Sequence, residues 1–129
     1  MSKISIKEKY KNGDIIIKEG SFGEGTYVVL EGNIEVYKTI NNERVNIAHL
    51  GKGDVFGEMS FIDRQPRTAS IVGVGDVQVG LIDKDFLENE INKTSEDFRI
   101  IMRALTERLR KTTGELVNLK IGCHGLDKK

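Results

Sequence analysis

The chain of 129 residues has no tryptophan, one proline (Pro66), one cysteine (Cys123), two histidines (His49 and His124) and no surplus of either charge, with Lys+Arg and Asp+Glu both at 20. Each shortage closes off a class of function. A lone cysteine cannot form an intrachain disulfide, which suits a reducing compartment, and a cytoplasmic protein is expected. Two histidines, one on a predicted strand and one near the C-terminus, cannot supply the clustered imidazoles of a metal-dependent enzyme. No Ser-His-Asp or Cys-His constellation can be assembled, so an enzyme is not expected. The balanced charge gives no electrostatic reason for DNA or an anionic membrane to be the main partner. No apolar run approaches the roughly 18–20 residues that span a bilayer. Met1–Lys7 lacks the continuous apolar stretch of a secretion signal. The length suits one domain with one core.

What the chain does have is punctuation. Asn12-Gly13-Asp14, Glu19-Gly20-Ser21, Glu31-Gly32-Asn33, Asn41-Asn42, Gly51-Lys52-Gly53-Asp54 and Gly73-Val74-Gly75-Asp76 are turn-like. Between them, Asp14–Lys18 and Thr26–Leu30 read as buried strands. Ile34, Val36 and Lys38 alternate with Glu35 and Tyr37, Val45 and Ile47 with Asn46, and Val77, Val79 and Leu81 with Gln78 and Gly80. Short strands at this spacing predict an antiparallel sandwich or roll.

Near Asp83 the pattern changes. Lys84–Ile91 predicts a short helix, and a long one follows with Thr94 or Ser95 as cap and Glu96 and Asp97 in its first turn. Phe98, Met102, Leu105, Leu109, Thr112, Leu116 and Leu119 step by four and three in alternation, a heptad stripe. Pairing with a second copy is the favoured use, because the stripe is long and a small roll offers little surface to cover it. The other use is a single helix laid on its own roll. Gly114 costs about 1 kcal/mol inside a helix and could loosen its last turns. The expected division is a roll over residues 1–92, a helix of the same domain over 93–121, and a frayed tail over 122–129.

The most informative stretch is Gly53-Asp54-Val55-Phe56-Gly57-Glu58-Met59-Ser60-Phe61, followed by Pro66-Arg67-Thr68-Ala69-Ser70. Phe56–Phe61 predicts one helical turn after a strand. A helix start presents unpaired N–H groups to an anion, and Gly57 admits a ligand close to the backbone. Arg67 would meet an anionic group and Glu58 would accept from a hydroxyl. Taken alone, Glu58 could simply complement the helix dipole, and Arg67 could be a solvated charge. The combination favours a site.

Phe56-Gly57-Glu58-Met59-Ser60 with Arg67-Thr68-Ala69-Ser70 resembles the phosphate-binding cassette of cyclic nucleotide-binding domains. Gly25–Gly32 and Gly51–Asp54 resemble that family's strand and turn glycines. The resemblance implies a mainly β fold with C-terminal helices, an antiparallel double-stranded β-helix or jelly-roll plus a long dimerisation helix. It implies that Arg67 pairs with the cyclic phosphate and that Glu58 accepts from the ribose 2′-hydroxyl. Gly57, Met59, Ser60, Thr68 and Ala69 would complete the cradle, and Val36, Ile47 and Ala48 would line the pocket. Arg108–Leu119 is similar to the dimerisation helix of catabolite activator protein-like members, where Thr112 and Thr113 match a pair that contacts the base, one residue from each subunit. Arg108 is a further candidate for the Glu58 and phosphate region.

The implied function is a sensor of cyclic AMP that signals through its C-terminal helix to a homodimer or an unknown effector protein. Thr112-Thr113 favours cyclic AMP over cyclic GMP. The alternatives are a cyclic GMP-selective domain and a ligand-free dimerisation module with a relic cassette. The chain ends soon after Leu119 with no helix-turn-helix, so DNA binding is not expected.

Overall fold

The computed structural model describes residues 3–127, with side chains as far as residue 122. The order is β1 (Ile4–Tyr10), β2 (Ile15–Ile17), β3 (Tyr27–Ile40), β4 (Glu43–Gly51), β5 (Val55–Phe56), α1 (Glu58–Asp63), β6 (Ser70–Ile82), α2 (Lys84–Asn92) and α3 (Glu96–Asp127). The strands pair antiparallel in the order β1-β6-β3-β4, with β2 joined to β6 and β5 to β3. This is the mainly β roll with C-terminal helices that the sequence predicts. Ile17, Val29, Ile34, Phe56, Ile71, Val77 and Val79 form its core. The Tyr27 ring stacks on Phe56 at 5.1 Å.

Two predicted turns prove to be interruptions inside long strands. Glu31-Gly32-Asn33 lies within β3 and Gly73-Val74-Gly75-Asp76 within β6. They face each other where the register jumps from Glu31↔Gln78 to Asn33↔Val74. Gly32 sits at φ 88°, and a Cβ there would come within 2.4 Å of the Asp76 carbonyl oxygen. Bulges of this kind bend a strand without ending it, so the glycines that suggest turns mark bends instead. Asn41-Asn42 is a true hairpin turn, both residues having positive φ.

Other expectations need correcting. β1 was not anticipated; it pairs with β6 and sets Ile4 against Gly80. Of Asp14–Lys18 only Ile15–Ile17 is strand, and Ile15 is exposed while Ile17 is buried. Tyr37, expected to face outward, is buried because the β3–β4 register shifts between Val36 and Tyr37. The Arg44 guanidinium covers its ring at 3.9 Å.

Asp83 caps α2 by accepting from the Asp85 and Phe86 N–H groups. Ser95 Oγ accepts from Phe98 N–H at the start of α3. α3 passes through Gly114 and continues beyond Gly122 to Asp127. The expected tail over 122–129 is therefore helical as far as Asp127, since each of Gly114, Gly122 and Gly125 costs a helix about 1 kcal/mol without breaking it. The side chains of Cys123 and His124 lie outside the described residues.

α3 carries two faces. Thr106, Arg110, Thr113 and Val117 turn toward the roll, with Thr106 and Val117 buried. Phe98, Leu105, Leu109, Leu116 and Leu119 are exposed, Leu119 to 69%. The helix lies on its own roll and still presents most of the heptad stripe outward.

Gly32→Ala should cost about 2 kcal/mol or more, because a left-handed residue is strained and its Cβ meets backbone. Gly53→Ala, at φ 90° with nothing within 4 Å of the added carbon, should cost only about 1 kcal/mol. Denaturant midpoints of the two variants compare them directly, and equal losses would show that the Gly32 contact is easily relieved.

Candidate functional site

β5 ends at Phe56, and Gly57 at φ 83° turns the chain into α1. Arg64 at φ 56° stops that helix one turn later. The loop that follows delivers Arg67 into the protein, where it is 7% exposed. Its guanidinium donates from Nη1 to the Gly57 carbonyl and from Nη2 to the Gly25 carbonyl, both at 2.8 Å. Its backbone is tied as firmly, Arg67 N–H donating to Ser21 O and Gly20 N–H to Arg67 O.

Glycines shape this slot. A Cβ on Gly57 would lie 2.5 Å from the Gly25 carbonyl oxygen and 3.0 Å from Arg67 Nη1. One on Gly23 would lie 3.4 Å from Arg67 Nη2. Burial pulls the Arg67 guanidinium below its ordinary value; Tyr27 and Glu58 oppose that shift, and the nearby Arg110 adds to it. The arginine is thus a buried cation whose hydrogen bonds go to neutral carbonyls.

Beside it opens a cavity of about 170 Å³. The cassette residues Gly57, Glu58, Met59, Ser60, Arg67, Thr68 and Ala69 form one side, and Ile17, Val36, Ile47, Leu50 and Ile71 the other. Arg110 and Thr113 of α3 close it. Lys38 braces the loop from behind, donating to the Thr68 carbonyl at 2.7 Å and pairing with Glu19 at 3.5 Å. An apolar-walled space with one buried cation, adjacent backbone amides and one carboxylate suits a small ligand with an anionic group and a hydroxyl.

Residues 7–94 match the family model described as cyclic nucleotide-binding domain. The chain belongs to that family. A CRP-like cAMP-activated global transcriptional regulator of Mycobacterium tuberculosis is 30% identical over 111 residues, 85% of this chain and 50% of the regulator. A cAMP-dependent protein kinase type II regulatory subunit of Drosophila melanogaster is 38% identical over 72 residues, 56% of this chain and 19% of the subunit. The chain therefore spans half or less of these curated relatives. A solved EAL enzyme in its cAMP-bound form matches at TM-score 0.79 and 28% identity, covering 95% of this chain and 33% of the enzyme's. The same enzyme in a cGMP-bound form matches at TM-score 0.77 and 30% identity, over 81% of this chain and 28% of the enzyme's. The relatives are named as regulators, which fits a cyclic nucleotide-binding regulatory domain. Among the described residues no helix is long and apolar enough to cross a membrane.

Within this cyclic nucleotide-binding domain, two expected site residues, Ala48 and Arg108, fall outside the cavity wall, and the Thr112-Thr113 pair is divided between two faces of α3. Ala48 is exposed on β4 and is not part of the cavity wall. Arg108 is exposed, and the arginine that reaches the cavity is Arg110. Thr112 turns outward with the apolar stripe, while Thr113 lines the cavity. About 100° of helical rotation per residue separates these neighbours, and the heptad stripe gave only the outward phase. The inward phase was readable from Thr106, Arg110, Thr113 and Val117, spaced by four, three and four.

Arg110 makes the densest set of bonds near the site. Its Nε and Nη2 donate to the two oxygens of Asp63 at 2.5 and 2.9 Å, and Nη1 donates to the Pro66 carbonyl at 3.2 Å and to Thr68 Oγ1. Burial raises the Asp63 carboxyl, but hydrogen bonds from Arg110 and from Gln65 N–H outweigh it and hold the group below its ordinary value of 3.8. A carboxyl depressed in the fold stabilises it above the unfolded value and loses that contribution as pH falls through the folded one. The contribution should be complete above about pH 5 and fade below about pH 4. Thermal melts across this range should show a smaller acid loss for Asp63→Asn than for wild type; identical acid profiles would show that Asp63 is not the titrating group.

Proposed function

We propose that the cavity binds cyclic AMP and that the domain reports occupancy through α3. The observation that carries this reading is Arg67. Its guanidinium donates one bond to each of two carbonyls, and among the described residues its other three N–H groups have no acceptor, in a side chain that lines the cavity. A cyclic phosphate there would supply the charge partner that burial demands. Glu58, on the same cavity wall, would accept from the ribose 2′-hydroxyl, and the amides from Gly57 onward and at Thr68 and Ala69 would complete the cradle.

Thr113 at the cavity supports a base contact from α3. Thr112, on the outward stripe, would meet a second copy paired through Leu105, Leu109, Leu116 and Leu119. A homodimer of this kind would use each threonine in a different subunit, as the likeness to catabolite activator protein-like helices implies. The names of the mycobacterial regulator and of the kinase subunit both cite cAMP, which favours cyclic AMP. Cyclic GMP is the second reading, supported by the EAL enzyme's cGMP-bound form. The effector would be a protein that reads the position of α3.

Arg67→Ala should weaken cyclic AMP binding by about 2–4 kcal/mol, roughly 30- to 1,000-fold. Titration calorimetry giving equal affinity for variant and wild type would defeat the phosphate role. Glu58→Ala should abolish the preference for cyclic AMP over its 2′-deoxy analogue, and a surviving preference would make Glu58 structural. A wild-type protein that binds neither nucleotide would leave a dimerisation module with a relic cassette. For the dimer, Leu109→Glu should give a monomer in sedimentation at concentrations where wild type pairs; an unchanged sedimentation coefficient would place the interface elsewhere.

A further inference from the structure

We infer that Arg110 is a positioning residue that clamps α3 onto the loop presenting Arg67, with Asp63 as its anchor, so that helix docking and retention of the nucleotide are one event. The inference rests on the nucleotide-binding reading above and assigns the residues that join lid to cassette.

An arginine has five N–H groups. In Arg110 the Nε group donates to Asp63 Oδ2, the two on Nη1 to Pro66 O and Thr68 Oγ1, and the two on Nη2 to Asp63 Oδ1 and Ser60 Oγ, the last at 3.5 Å. Four donors have close protein acceptors and the fifth only the long Ser60 contact, so although Arg110 lines the cavity its guanidinium is committed to the cassette. Arg67, which also lines the cavity, is the opposite case, with two donors engaged and three without an acceptor among the described residues. The two arginines divide the work: Arg67 binds, and Arg110 holds the wall.

The acceptors span the whole cassette. Ser60 is in the middle of α1, Asp63 at its end, Pro66 in the loop and Thr68 immediately after Arg67. One side chain from α3 thus fixes both flanks of the segment that carries the anion-binding arginine. The Asp63 fork is bidentate, with side-chain exposures of 20% for Arg110 and 14% for Asp63. It is partly screened from water, where such pairs are worth more than on an open surface.

The geometry also demands the carboxylate. Arg110 lies close enough to Arg67 to disfavour its charge. Two guanidiniums around one small loop would repel; Asp63 neutralises the one that belongs to the lid and leaves the other for the ligand. A lysine at position 110 could reach one oxygen but could not repeat the fork.

The test uses the full chain as wild type, Arg110→Met, Arg110→Lys, Asp63→Asn and the Arg110→Met/Asp63→Asn double variant. Amide hydrogen exchange of α3 is measured without added nucleotide, and dissociation of cyclic AMP by stopped flow. The expected result is about tenfold faster dissociation and faster exchange over residues 106–117 in each single variant. The double variant should be no worse than the worse single, lysine should not rescue, and binding stoichiometry should stay at the wild-type value. Additive effects, rescue by lysine, or unchanged exchange and dissociation would overturn the clamp. A loss of stoichiometry at an unchanged off-rate would also overturn it, by showing a general folding defect. Should wild type bind no cyclic nucleotide, the exchange measurements alone decide the clamp, while the nucleotide reading fails separately.

Discussion

A buried guanidinium with only neutral partners is the constraint around which the rest is arranged. Arg67 is 7% exposed and gives its hydrogen bonds to the carbonyls of Gly25 and Gly57. Burying a charge is costly unless it is paired, and carbonyl dipoles supply only part of that compensation. Glycine is needed where the carbonyls converge, because a side chain at Gly57 would collide with the Gly25 oxygen and crowd the arginine. The Ser21–Arg67 and Gly20–Arg67 backbone bonds then hold the loop before β3 and the loop before β6 against each other. An anion at the cavity would complete the compensation.

α3 is the second half of the design. Its inward face buries Val117 and Thr106 and places Arg110 and Thr113 over the cavity. Further along, Lys120 donates to the Asn46 carbonyl of β4 at 2.6 Å. The helix is attached at one point by a forked ion pair, at others by packing, and carries its exposed apolar stripe on the other side. One helix therefore carries both the contacts to the cassette and the exposed stripe.

The legible and illegible parts of the sequence separate by the range of the interaction. Local chemistry was readable: Asn41-Asn42 as a turn, Thr94 or Ser95 as a cap, and one helical turn after a strand at Phe56–Phe61. The cassette was readable because its residues are near neighbours in the chain and their types match what an anion needs. Gly32 and Gly75 misled, because a positive-φ glycine looks the same in a bulge as in a turn until the partner strand is known. Tyr37 misled for the same reason, one register shift reversing the face. Arg110 was missed since its partners, Asp63, Pro66 and Thr68, are far away in sequence and the conspicuous stripe drew attention to the other helical phase.

That last miss bears on how the two faces of α3 relate. A stripe of leucines and a clamp of one arginine impose different requirements on a single helix: one fixes its rotation relative to a second copy, the other relative to the cassette. Both can be satisfied together only at one rotation and one height. If a ligand strengthens the clamp, it favours the dimer geometry compatible with that rotation, and by reciprocity that dimer geometry favours the ligand by the same factor. The coupling needs no conformational path through the roll, because clamp and stripe belong to the same rigid element. Its size is bounded by the weaker attachment, and the forked Arg110–Asp63 pair, which is partly exposed, is the weaker of the two compared with a row of leucines, exposed in this chain, that a second copy would bury. The sensitivity of the proposed sensor would therefore be set at position 110, with the stripe supplying only the direction in which it is read.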